Sequence, residues 1–182
     1  YIVGPLNRRG LYQTLLNEWL PDICAAADLP IQAEALGQTG KQHLHLGNFS
    51  LALPYFQRSL KICQEIGDKA GEGTTLNNMS AIADARGDYE TAPAYLERSL
   101  KIRQEIGDVA GLCATLFNIG HIHAQNDEIN EAVGVWVTVY LLAKPRNMAQ
   151  ALKALADLAP QLGLPPGLAG WEMLAQRMGR QE

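Results

Sequence analysis

The amino-acid sequence predicts an all-α fold, a solenoid of stacked antiparallel helix hairpins. Three observations predict it: a segment duplicated at a spacing of 40 residues, apolar residues three or four apart within each copy, and Gly-Asp or Gly-Asn punctuation between helical stretches. Residues 58–71 read RSLKICQEIGDKAG and residues 98–111 read RSLKIRQEIGDVAG, identical except at Cys63/Arg103 and Lys69/Val109. Chance supplies about one match in such a window, so the block is an internal duplication. The same offset aligns Gly47-Asn48-Phe49 with Gly87-Asp88-Tyr89, and Ala52 with Ala92 and Ala132. Leu36, Leu76 and Leu116 fall in register, as do Asp28, Asp68 and Asp108. The period reaches back to about Leu11 and forward to about Tyr140.

Each period holds two helices. Leu76, Met79, Ile82 and Ala83 form one apolar stripe, which Gly87-Asp88 ends. Tyr89, Ala92, Leu96, Leu100 and Ile102 resume it until Gly107-Asp108. Glycine supplies the left-handed residue that closes the first helix, and Asp88 or Asn48 caps the next. A lone hairpin cannot bury its apolar face, so consecutive hairpins must stack.

Composition fits this reading. The chain has 182 residues, a net charge of −4, 47% hydrophobic and 19% charged residues, which excludes wholesale disorder and suits one domain or one elongated array. A pI of 5.6 gives no electrostatic reason to expect nucleic acid or an anionic membrane. No run of about 18 apolar residues exists to cross a bilayer. The start, Tyr1-Ile2-Val3-Gly4-Pro5, has neither an initiator Met nor a signal-peptide core and reads as a fragment or processed piece. Cys24, Cys63 and Cys113 cannot all pair and form no C-x-x-C, so reduced, buried thiols and a cytoplasmic location are expected.

With the residues laid out this way, the repeat resembles the tetratricopeptide repeat in its 40-residue variety, as in the kinesin light chain, the Leu-Gly-Asn-repeat polarity adaptors and many bacterial regulators. That motif has a large residue followed by a small one in the first helix, here Met79-Ser80, Ile119-Gly120 and Thr39-Gly40. It has a Gly-Asp/Asn-aromatic turn, met by Gly47-Asn48-Phe49 and Gly87-Asp88-Tyr89. It then has a small residue where helices cross (Ala52, Ala92, Ala132) and a bulky one four later (Phe56, Leu96, Trp136). The resemblance implies a right-handed α-solenoid. Its expected units are an N-terminal tail (1–9), a helix of a truncated repeat (10–30), hairpins at 31–68, 69–108 and 109–146, and a capping hairpin at 147–182.

The chain departs from the motif in places. The third turn, Asn126-Asp127-Glu128-Ile129, has neither Gly nor aromatic. Pro54 and Pro93 lie about a turn inside their second helices, so those helices start late or kink. Residues 147–162 read as an amphipathic helix, 163–167 as a turn, and 168–178 as a last helix with Trp171, Leu174 and Met178 inward.

No chemistry-bearing constellation emerges. In a helix, the two rings of His43-Leu44-His45, or of His121-Ile122-His123, diverge by roughly 200°, so neither pair chelates a metal. His43 and His123 face the packed interior. Gly71-Glu72-Gly73-Thr74-Thr75 lacks the Lys-Ser/Thr ending of a phosphate loop and reads as a loop between helices. No nucleophile elbow or zinc-protease motif occurs. Arg58, Lys61, Arg98, Lys101 and Arg103 read as a solvated outer face, as do the scattered carboxylates. No catalytic residue, metal or cofactor is expected.

The inner wall is the expected site. Successive first helices line one concave surface, onto which Gln38, Asn78 and Asn118 project, preceded by Gly37, Asn77 and Phe117. An Asn or Gln amide matches the N–H and C=O of an extended peptide. The resembled adaptors hold peptides with asparagines at this place, a role the resemblance carries to Asn78 and Asn118. Lys41 and His121 line the same surface, and His45, Asp84 and Gln125 continue it. The chaperone-type carboxylate clamp is not expected: Lys41 is a turn from its place, and the third first-helix offers Ala114 and Asn118. The sequence thus points to a non-enzymatic module that binds a peptide segment of a protein partner. The alternative is a regulatory arm of a larger signalling protein, contacting other domains or a second copy.

Overall fold

The computed structural model describes residues 28–179. It has eight α-helices and no strand among the described residues. The first helices of three successive hairpins are α1 (Leu29–His45), α3 (Lys69–Ala85) and α5 (Val109–Gln125). Their second helices are α2 (Phe49–Ile66), α4 (Thr91–Glu105) and α6 (Ile129–Ala143). A 3₁₀ turn (Lys144–Arg146), α7 (Ala149–Leu158), a second 3₁₀ turn (Ala159–Leu162) and α8 (Ala169–Met178) follow among the described residues. The helices of a hairpin pack on each other, each second helix packs on the next first helix, and α1 touches α3 as α3 touches α5. This is the all-α solenoid the sequence predicts. The tail expected over 1–9 and the helix over 10–30 lie outside the described residues, except that Leu29 and Pro30 open α1.

One terminator recurs every 20 residues. Gly47, Gly67, Gly87 and Gly107 all have φ near +70°. Just beyond each, a backbone N–H reaches back five residues: Asn48 to His43, Asp68 to Cys63, Asp88 to Ala83, Asp108 to Arg103. This is a Schellman closure, which a left-handed residue makes possible. At the fifth site Asp127 takes the left-handed place (φ +62°) and Glu128 N–H bonds His123 O. The residue after the glycine then starts the next helix. Asp68 and Asp108 accept the N–H of Gly71 and Gly111, each at 2.9 Å, and Asp88 that of Thr91 at 3.0 Å. Asn48 makes no such side-chain cap.

The large-small pair acts where hairpin helices cross. A Cβ on Gly40 would come within 2.8 Å of the Phe56 ring, and one on Gly120 within 2.3 Å of the Trp136 indole. Phe56, Leu96 and Trp136 are buried beside Ala52, Ala92 and Ala132. Each such large side chain contributes roughly 1.5–3 kcal/mol by leaving water. Trp136 also donates its Nε1–H to Phe117 O at 3.1 Å, and Trp171 donates its own to Leu155 O at 2.7 Å. The two indoles meet edge to face, 6.3 Å apart, and close the core at the α6–α8 end.

Several sequence expectations need correction. Gly71-Glu72-Gly73-Thr74-Thr75 is not a loop but the start of α3, because the turn ends at Gly67-Asp68 and Asp68 caps the helix there. Tyr89 is 65% exposed and does not join the stripe, since α4 begins only at Thr91. That late start puts Pro93 in the first turn, where its missing N–H costs no bond, whereas Pro54 does lie inside α2. Met178 is exposed, while Trp171 is fully buried. Arg103 and Glu72 are not on a solvated face: both are buried and held by specific partners.

Candidate functional site

The first helices bring their polar residues to the seams between neighbours. Between α3 and α5, Asn118 Nδ2 donates to Asn77 Oδ1 at 3.1 Å, and two turns on Gln125 Nε2 donates to Asp84 Oδ2 at 3.2 Å. His121 sits between these rungs. A cavity of about 170 Å³ opens here, lined by Ser80, Ala81, Asp84, Leu96, Asn118, His121, Ile122 and Gln125. Burial pushes the His121 imidazole below its ordinary range, against the opposing pull of Asp84, so the ring is neutral at pH 7. It meets Phe117 edge-on at 4.8 Å and Trp136 at 5.3 Å. Phe117 is itself half-buried against the core.

The seam between α1 and α3 is different. Gln38, Lys41 and Asn78 face an open cavity of about 410 Å³ whose floor is Ser59 and Cys63 of α2. Ser59 Oγ donates to Ala33 O at 2.8 Å. Asp68 Oδ2 lies 3.9 Å from Cys63 Sγ, and burial together with Asp68 pushes the thiol up, so it stays protonated. No side-chain hydrogen bond holds Asn78 among the described residues. Of the residues expected on the inner wall, the structure thus gathers Gln38, Lys41 and Asn78 in one cavity. It joins Asn77, Asn118, Asp84, His121 and Gln125 around the other. His45 is exposed in the last turn of α1 and lines neither.

The same position one repeat on is filled. Arg103 occupies the α4–α5 junction, 5% exposed. Its Nε donates to Ser99 Oγ at 3.2 Å, Nη1 to Asp108 Oδ2 at 2.5 Å and Nη2 to Thr74 Oγ1 at 3.2 Å. Ser99 in turn donates to Gly73 O at 2.8 Å and lies 3.0 Å from the Thr115 hydroxyl. These bonds and the Asp108 charge offset the desolvation of the guanidinium. Sequence reasoning missed this cluster and its empty counterpart around Ser59, Asp68 and Thr75. The available signal was the Cys63/Arg103 mismatch inside an otherwise repeated block.

Among the described residues no group of three or more His, Cys, Asp or Glu side chains is placed to hold a metal ion, and no helix is long and apolar enough to cross a membrane. Cys63 and Cys113 are buried free thiols.

Stacked hairpins with a polar seam along their first helices define a helical-repeat solenoid. Residues 31–105 match the family model described as tetratricopeptide repeat. The crystal structure of BtubC (BKLC) from P. vanneervenii is similar, with a TM-score of 0.64 at 16% sequence identity, over 94% of this chain and 70% of that one. No curated protein matches the sequence. Repeats of this family generally mediate protein–protein interaction and are typically non-enzymatic.

Proposed function

We propose that the face formed by α1, α3 and α5 binds an extended peptide segment of a protein partner. One observation carries this: the Asn118–Asn77 pair, which spends one Asn118 amide hydrogen on the Asn77 carbonyl and so keeps the Asn118 side-chain carbonyl and the Asn77 amide hydrogens available. Together these groups can complement a backbone C=O and N–H whatever the side chain. Asn78, equivalent to Asn118 by the 40-residue offset, faces the neighbouring seam unpaired and is the second contact along the same track. Gln38, Lys41, Asp84, His121 and Gln125 select side chains on either side of it, and His45 extends the polar edge. The binding needs no cofactor and no catalytic group.

The test is a displayed random-peptide selection against the intact chain, followed by calorimetry on a selected peptide. Replacing Asn78 and Asn118 together by Ala is expected to weaken binding some tens-fold, about 2 kcal/mol for two lost amide contacts, with the circular dichroism unchanged. Equal affinity for the double variant would reject the amide track. A second reading is an arm that packs on another domain of a longer chain or on a second copy. Leu29, Ile31 and Leu51, large apolar side chains exposed on the first hairpin, favour it. Light scattering that finds a dimer would support it over the peptide groove.

A further inference from the structure

We infer that the cavity between α1, α2 and α3 is a guanidinium pocket, which takes an arginine side chain of the bound peptide. The inference rests on the peptide-binding reading of the first-helix face and names the chemistry of one subsite on it.

The 40-residue offset supplies the argument, because the next repeat holds an arginine in the equivalent place. Every partner of Arg103 has a counterpart on the cavity wall, as does Thr115, which bonds Ser99: Asp108 maps to Asp68, Ser99 to Ser59, Thr74 to Glu34 and Thr115 to Thr75. Only the occupant differs, since Cys63 stands where Arg103 would. The space is kept open as well. A Cβ on Gly111 would fall 1.3 Å from Arg103 Nη1, and the counterpart of Gly111 is again a glycine, Gly71. Ala33 replaces Gly73, but a methyl at Gly73 would meet Arg103 at 3.5 Å, an ordinary contact, so Ala33 leaves room.

The wall groups are still unspent. Asp68 uses Oδ1 to cap Gly71, as Asp108 uses its own to cap Gly111. The second oxygen of Asp108 takes the arginine, whereas that of Asp68 meets only the Cys63 thiol. Thr75 is 4% exposed and lines the cavity, yet its hydroxyl has no hydrogen-bond partner among the described residues, whereas Thr115 has Ser99. Two carboxylates, Glu34 and Asp68, outweigh the single ammonium of Lys41 on the wall. A planar cation with several donors suits this set better than a lysine head, which cannot reach Asp68, Ser59 and Glu34 together. Arg103 enters its pocket from α4 beneath. A guest arginine enters from the open side, past Gln38, Lys41 and Asn78.

The experiment titrates the intact chain with methylguanidinium and, separately, methylammonium, following backbone amide resonances. Methylguanidinium is expected to move Gly71 and Thr75 selectively, and methylammonium to leave them in place. Cys63→Arg supplies the guanidinium from within and is expected to abolish the response while raising the thermal midpoint. Asp68→Asn keeps the helix cap and is expected to weaken the response about tenfold, which keeps the test decisive if Cys63→Arg does not fold. Absence of a shift at Gly71 and Thr75, or a response surviving both variants, overturns the pocket. Selected peptides that bind equally well with their arginines changed to glutamine would also overturn it while leaving the peptide groove intact. Loss of the Asn78/Asn118 effect, with the methylguanidinium response retained, would instead remove the groove and keep a cation pocket.

Discussion

At the α2–α3 junction Ser59, Cys63 and Asp68 face Thr75, and at the α4–α5 junction Ser99, Arg103 and Asp108 face Thr115. The first junction encloses a cavity and the second a filled network of charge-assisted bonds. Backbone closure, helix cap and small first-turn glycine are the same in both. A single side chain therefore decides whether a seam serves as mortar or as an opening. In an array whose units touch only their neighbours, that choice is made locally and leaves the other seams unchanged.

The largest expected effect comes from removing the filler. Arg103→Ala should destabilise by about 3 kcal/mol, because it leaves Asp108, Ser99 and Thr74 facing a void. Cys63→Ala at the open junction should cost roughly 1 kcal/mol or less, having few contacts to lose. Equal losses by urea unfolding of the two variants would break the contrast. Gly111→Ala is next, since its new methyl collides with Arg103 Nη1; about 2 kcal/mol is expected, more than for Gly71→Ala, where Cys63 Sγ is the nearby side chain beyond the capping Asp68.

The smallest effect sharpens the comparison at the adjoining turns. His43 is buried with neither ring nitrogen hydrogen-bonded, stacked on Tyr55 at 5.5 Å, and burial pushes its pKa below the ordinary 6.5. Its counterpart His123 is instead 2.6 Å from Glu128. The folded state thus binds fewer protons at His43 than the unfolded chain does. Its stabilising share is complete above about pH 6.5 and falls as the pH drops below that. His43→Leu should flatten the stability profile between pH 7 and 5, as read by urea unfolding across that range.

The fold was legible because repetition, glycine punctuation and helical spacing are local properties of the chain. The positions of Asn77, Asn78 and Asn118 on first helices followed from the same register. Burial of Arg103 and Glu72 was not legible. A charged residue on a second helix is solvated by default, and only the three-dimensional junction reveals what compensates it. For Arg103 that is Asp108, Ser99 and Thr74; for Glu72 it is Gln64, Lys69 and Arg98. The Gly111 space that admits the guanidinium looks in sequence like a weak helix starter. Tyr89 misled for the opposite reason: its place in the motif suggested packing, but α4 starts two residues later and the ring points to water.

Trp136 and Trp171 touch each other, and both hand their indole hydrogens to backbone carbonyls at the α6–α8 end. Ultraviolet emission from this couple consequently registers fraying of that terminus and is blind to early melting around Phe56. Optical and amide-exchange unfolding curves should part company wherever the two ends loosen at different temperatures.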